Sequence, residues 1–178
     1  MISFESFARS YRGESRAAFV AGIREPHLAL WTALDDESDE RPTAQFLTLS
    51  HAPQAGAAAR DHDAPLAVLP VAKRTGSNAF TLMITIGRAP NNDLVLPDRR
   101  VSKFHAYFRR VGDAWTVSDA NSTNGTMVDG VPVPPERGLT LRSGARIVLG
   151  GAVHLEFLEA DDLYDRLRAG GRDRAATE

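Results

Sequence analysis

The stretch "VSKFHAYFRRVGDAWTVSDANSTNGTMVDGVPV", residues 101–133, decides how the chain is read. It breaks into short apolar or alternating runs, "FHAYFRR", "AWTVSD", "GTMV" and "VPV", separated by Gly, Asn and Asp. Strands alternate their side chains between two faces and stop at residues that turn the chain easily, so runs of this length and punctuation read as β-structure. Two turn signals, Asn124-Gly125 and Asp129-Gly130, lie a few residues apart. Both supply the positive φ that mirror-image hairpin turns need, so each is expected to close a hairpin. The first also follows Asn121, Ser122 and Thr123, giving a loop of four short polar side chains on a rigid scaffold. Binding residues concentrate on such loops.

The same character extends in both directions. "LAVLPVAK", "FTLMITI" and "LVL" precede the stretch, and "LTL", "ARIVLG" and "VHLEFLE" follow it. From Leu66 to about residue 158 this spacing predicts an all-β sandwich. Upstream, Phe4, Phe7, Ala8 and Tyr11 follow a helical period, and Ser15 is placed to cap a second turn through Ala18, Phe19 and Ile23. "PHLALWTAL", residues 26–34, fits either a helix started by Pro26 or a buried strand, because apolar residues occupy both alternations. "DDESDERP", residues 35–42, reads as a solvated linker, "AQFLTLS" as a strand, and "HAPQAGAAARDHDAP", residues 51–65, as a loop. At the other end Leu163 and Leu167 mark a short helix that frays after Gly170. The expected division is a partly helical extension over 1–62, a sandwich over 63–159, and a helix with a frayed tail over 160–178.

The composition narrows the chemistry. The 178 residues suit one domain with appendages, and 43% hydrophobic content supports a packed core. With no cysteine, the chain has no disulfides, thiolate catalysis or Cys-based metal sites. The N-terminus lacks a basic then apolar leader, and no run approaches 18 apolar residues, so a cytoplasmic location is expected. Heavy use of alanine and arginine points to a GC-rich bacterial source. The net charge of −2 hides an uneven distribution. Residues 66–158 carry 11 basic and 7 acidic side chains, whereas residues 1–65 carry 6 and 10. A basic middle between acidic ends favours an anionic partner for the middle.

Four landmarks then align in order: Gly87-Arg88 after "TLMITI", the segment "NNDLVLPD", Ser102 three residues before His105 in "RRVSKFHAYF", and "DANSTNGT". Gly-Arg, Ser-x-x-His and Asn-x-x-Asn-Gly in this order resemble the forkhead-associated (FHA) domain, a phosphothreonine-recognition module, over roughly residues 66–158. The resemblance implies a mainly β protein, an FHA-like sandwich of about eleven strands in two sheets that binds a phosphopeptide with loops at one end. It further implies that Arg88, Ser102 and Thr123 contact phosphate and that Asn124 holds the ligand's main chain. Lys103 stands where the family usually has Arg or Asn. Gly87, His105 and Gly125 shape the site, His105 by bracing loops rather than by touching phosphate.

The chemistry agrees with the residues themselves. A phosphothreonine brings about −1.5 to −2 charges and three acceptor oxygens, which call for fixed, charged donors. Arg88 offers a planar fork, Ser102 and Thr123 single hydroxyls, and Lys103 a point charge. The partner implied is a phosphothreonine-containing protein, a Ser/Thr kinase or its substrate, with no cofactor and no metal. The alternative keeps the fold as a phospho-independent scaffold.

Other readings fare worse. Ser102, His105 and Asp98 or Asp119 supply the residue types of a hydrolytic triad, but no Gly-x-Ser-x-Gly elbow or phosphate-cradling Gly-x-x-x-x-Gly-Lys loop is present, so no enzyme is expected. The five histidines are scattered without metal-ligand spacing. Arg99, Arg100, Lys103, Arg109 and Arg110 prompt a nucleic-acid reading, yet adjacent Tyr107 and Phe108 fall on opposite strand faces. In the extension, Phe4, Phe7, Tyr11, Phe19 and Trp31 are expected to pack on the same chain, with self-association or partner docking as the other uses of that surface. Thr32, followed at the third position by Asp35, is a candidate phosphoacceptor for the basic site in cis or in a neighbour.

Overall fold

A computed structural model describes residues 1–35, 64–135 and 137–170. Two β-sheets form a sandwich, and three helices cover the outside of one of them. In chain order the elements are β1 (Ile2–Ser3), α1 (Phe4–Ser10), α2 (Arg16–Gly22), β2 (His27–Leu30), β3 (Ala67–Pro70), β4 (Ile84–Gly87), β5 (Leu94–Val95) and β6 (Ala106–Val111). Then follow β7 (Ala114–Asp119), β8 (Thr126–Val128), β9 (Val131–Pro132), β10 (Leu139–Leu141), β11 (Arg146–Leu149), β12 (Val153–Leu158) and α3 (Ala160–Gly170). The larger sheet runs β1-β3-β2-β12-β11-β8-β9 and the smaller β10-β7-β6-β4-β5. This is the expected mainly β sandwich of two sheets, with twelve short strands among the described residues rather than about eleven.

The ambiguity of "PHLALWTAL" has a physical resolution. Its core, β2, is a strand buried at all four positions. Leu28 and Leu30 face the sandwich core with Ile86, Phe108, Leu149 and Phe157, whereas Ala29 belongs to a second cluster with Phe4, Phe7, Phe19, Leu163 and Leu167. A strand covered on both faces loses the polar alternation that would have marked it. The helices supply the second cover. Ser3 and Ser15 cap α1 and α2 through the N–H groups of Ser6 and Ala18, and exposed Arg16 bridges α2 to Asp161 and Asp165 of α3. The aromatic residues of the extension therefore pack on their own chain.

The expected boundary at 62/63 does not follow the sheets. β2 lies between β3 and β12, so the first 35 residues contribute a central strand as well as helices. Thr32 is likewise corrected as an accessible phosphoacceptor: it is buried, and its Oγ1 accepts the His154 N–H at 3.1 Å. The acidic run from residue 36, the strand expected in "AQFLTLS", the loop up to residue 63 and the tail after Gly170 lie outside the described residues. No helix among the described residues is long and apolar enough to cross a membrane.

Candidate functional site

At one end of the sandwich the β4–β5, β5–β6, β7–β8 and β11–β12 connections converge. Gly87 ends β4 because the chain must pass close to a neighbour. A Cβ there would sit 2.5 Å from the carbonyl oxygen of Lys103, a distance no side chain tolerates. That proximity lets the two loops zip together, with Arg88 N–H donating to Ser102 O at 2.9 Å and Ala89 N–H to Lys103 O at 3.1 Å. Buried Asn92 tightens the join by donating its side-chain amide to Ala89 O and Lys103 O. Arg88 is half-buried, and its Nε donates to Val101 O at 3.2 Å. The guanidinium is thus set beside the turn that carries Ser102.

His105 is fully buried and joins the two loops most directly. Its Nδ1 accepts the Ser102 N–H at 3.0 Å, which requires the proton to be on Nε2, and Nε2–H donates to Gly125 O at 3.1 Å. Burial holds the imidazole below its usual pKa, against the opposing influence of the Gly125 carbonyl and the Asp119 charge. A neutral histidine of one tautomer is what this pair of bonds demands.

The 119–126 connection departs from the two-residue hairpin expected at Asn124-Gly125. β7 belongs to the smaller sheet and β8 to the larger, so the segment crosses between sheets. Its positive φ angles fall on Asn121 (56°) and Gly125 (78°), not on Asn124. Asp119 organises the crossing: its carboxylate accepts from Ser122 N–H at 2.9 Å, Ser122 Oγ at 2.7 Å and Thr126 Oγ1 at 2.7 Å. Asp129-Gly130, by contrast, is the expected tight hairpin, joining β8 to β9 with φ of 49° and 82°.

These supports bring Ser102 and Thr123 together from loops 21 residues apart. Thr123 N–H donates to Ser102 Oγ at 3.0 Å, and the two hydroxyl oxygens stand 3.3 Å apart. Asn124 is exposed and donates its amide to Arg100 O at 3.1 Å, while Lys103 projects from the neighbouring turn into solvent. Arg88, Ser102, Lys103, Thr123 and Asn124 therefore all sit on the converging loops, and Gly87, His105 and Gly125 lie beneath them. Among the described residues no group of three or more His, Asp or Glu is placed to hold a metal.

Sequence reasoning missed the supporting roles of Asn92, Asp98, Arg100 and Asp119. Asn92 and Asp119 carried a legible signal, each being a short polar side chain inside a turn-forming run. Asp98 and Arg100 did not: they pair with each other two residues apart, but the groups that tie the pair to the site, the Asp35 N–H and the Asn124 amide, are distant in sequence.

The model of the FHA domain family matches residues 84–150, the span that holds every one of these loops. The likeness to the forkhead-associated domain lies in this span. Over 64 residues it is 42% identical to the oxoglutarate dehydrogenase inhibitor of Corynebacterium jeikeium, covering 36% of this chain and 42% of that protein. It is 40% identical over 77 residues to the FHA domain-containing protein FhaB of Mycobacterium tuberculosis, covering 42% and 49%. The chain thus matches half or less of the length of these relatives. Superposition on the MEK1 FHA domain gives a TM-score of 0.48 at 17% identity, over 80% of this chain and 96% of that one.

Proposed function

We propose that the chain is a phosphothreonine-peptide-binding adaptor in Ser/Thr-kinase signalling, acting in the cytoplasm by binding and without catalysis. Arg88, Ser102 and Thr123 hold the phosphate, Lys103 adds positive charge, and Asn124 holds the ligand's main chain. The partner is a phosphothreonine-containing protein, a kinase or its substrate. The observation that carries this reading is the pairing of the Ser102 and Thr123 hydroxyls beside the Arg88 turn within a matched FHA domain. A relative named as an inhibitor of a dehydrogenase fits a module that acts by binding.

Three or four charge-assisted hydrogen bonds of roughly 1.5–3 kcal/mol each total roughly 5–10 kcal/mol before the cost of association is subtracted, so micromolar affinity, about −8 kcal/mol, is the ceiling without strong flanking contacts. The test is fluorescence anisotropy with an oriented phosphothreonine library, phosphoserine and unphosphorylated controls, and Arg88→Ala alongside. Micromolar binding that needs phosphothreonine and is lost in Arg88→Ala is expected. Equal binding of phosphorylated and unphosphorylated peptides would overturn it.

A second reading, a phospho-independent scaffold, rests on one feature. Phe80 and Leu82 are exposed, Phe80 stacks on Phe104 at 5.8 Å, and Arg109 lies over Tyr107, giving an apolar and cationic stripe outside the smaller sheet. Partner binding that survives Arg88→Ala and fails with Phe80→Ser would favour it.

A further inference from the structure

Asp98 has no part in phosphate chemistry, yet its side chain is fully buried directly beneath the recognition loops. A buried carboxylate needs donors, and this one has four. Arg100 donates its backbone N–H and Nε to Oδ1 at 2.9 and 2.8 Å and its terminal nitrogen to Oδ2 at 2.6 Å. The fourth donor is the Asp35 N–H, 2.9 Å from Oδ2. The first 35 residues thus reach the recognition end through a main-chain group.

The Arg100 side chain folds back onto Asp98, so its backbone is clamped between that carboxylate and Gly150, where any Cβ would collide with the Arg100 carbonyl. The Arg100 carbonyl oxygen in turn accepts the Asn124 amide. Only the nitrogen of that amide can face a carbonyl, so the interaction fixes which way Asn124 points. One N–H and the side-chain oxygen remain on the outward side, the pair needed to pair with a peptide's main chain.

We propose that Asp98 is a positioning residue for peptide recognition: by holding Arg100 it fixes the carbonyl that orients Asn124. The proposal rests on the phosphopeptide reading of the site. Arg99 does not share this role, since its pair with Asp35 at 2.8 Å is on the surface, where such pairs contribute little.

The test is a double-mutant cycle in the full chain, read by anisotropy with the best phosphothreonine peptide from the library. Asp98→Asn keeps the size and removes the charge that grips Arg100. It is expected to weaken binding about tenfold, and to weaken it less than twofold when Asn124 is already alanine. In a Thr123→Ala background the tenfold loss should persist. A loss that is equally large in Asn124→Ala would overturn the proposal while leaving the function intact. Failure of wild-type protein to bind any phosphopeptide would overturn the function itself. A ligand-free readout covers the case in which Asp98→Asn unfolds. Arg100→Gln removes the fork but leaves Asp98 its Asp35 and Arg100 backbone donors, and should move the Asn124 side-chain amide resonances and speed their exchange. Unmoved Asn124 resonances in that variant would refute the coupling.

Discussion

His105→Ala removes a fully buried side chain that bonds two loops together, and its effect can be worked from contacts. The imidazole is completely buried, so truncation leaves a cavity of aromatic size, for which costs of about 3–5 kcal/mol are usual. Ser102 N–H loses its acceptor, a penalty of about 1–3 kcal/mol for a group that stays buried. Gly125 O is less affected, because Gly150 N–H also donates to it at 3.0 Å. Neighbouring losses overlap, so the expected total is about 3–5 kcal/mol. For a chain of this size that lowers Tm by about 10 °C. Circular dichroism melts give the stability, and phosphopeptide titration well below Tm gives the affinity. Binding should fall more than tenfold, because Ser102 and Thr123 lose the strut between their loops. A Tm drop under about 3 °C with unchanged affinity would show that the histidine is not that strut.

Gly87→Ala forces a Cβ against Lys103 O and should cost about 1–3 kcal/mol with loss of phosphopeptide binding, measured by urea unfolding and anisotropy. Phe19→Ala, in the helical layer, should cost about 3–5 kcal/mol while leaving peptide affinity of the folded protein within twofold, which separates fold from site. Acid titration has two stages. Burial depresses His27 and His105, so their neutral forms stabilise the protein above about pH 6.5 and that stability is lost as pH falls below it; melts from pH 7.5 to 5 should show the decline. Asp98 sits at about 2: burial would raise it, but the Arg100 fork and the backbone donors outweigh that. It contributes stability above about pH 3.8 that is lost on the way to 2, about 2 kcal/mol; Asp93, which burial would raise but which Lys73, Ser77 and backbone donors hold well below the usual carboxylate range, loses its share over the same window, so Asp98→Asn should shrink that stage rather than abolish it. Expression of residues 63–178 should give an unfolded product by NMR dispersion, since β2 is gone, whereas residues 25–178 keep it.

How much of this was legible depends on the range of the interaction. The strands from Leu66 onward, the cap at Ser15 and the Asp129-Gly130 turn follow from neighbours in sequence, and residue pattern suffices for such features. The site loops were legible as motif spacing. What spacing could not convey was that Asn124-Gly125 crosses between sheets, because a turn-forming dipeptide reports its local φ preference and not the strand that follows. Nor could it assign β2, one face of which meets Phe4, Phe7 and Phe19 upstream and Leu163 and Leu167 at the far end of the chain, and the other Ile86, Phe108, Leu149 and Phe157. The supporting roles of Asp98, weighed in sequence only as a triad member, and Arg100, weighed only within a basic cluster, are hidden for the same reason: Asp35 and Asn124, which give them meaning, are 63 and 24 residues distant.

The recognition end divides into two classes of residue with opposite expected responses. Ser102, Thr123, Asn124 and Lys103 are exposed or half-buried, so their truncation creates no cavity and orphans little buried polarity. Asn92 and His105 are buried and bond to backbone groups of the loops, while Asp98 and Asp119, also buried, gather both backbone and side-chain donors there. Removing them exacts the full cost of unsatisfied groups. On the proposed function the fixed loops matter because a donor already aimed at the phosphate position loses little freedom when the ligand arrives. A small set of hydroxyls and one arginine would then reach micromolar affinity without a deep pocket. It follows that affinity can be tuned by the exposed set at nearly constant Tm, whereas changes in the buried set move affinity and Tm together.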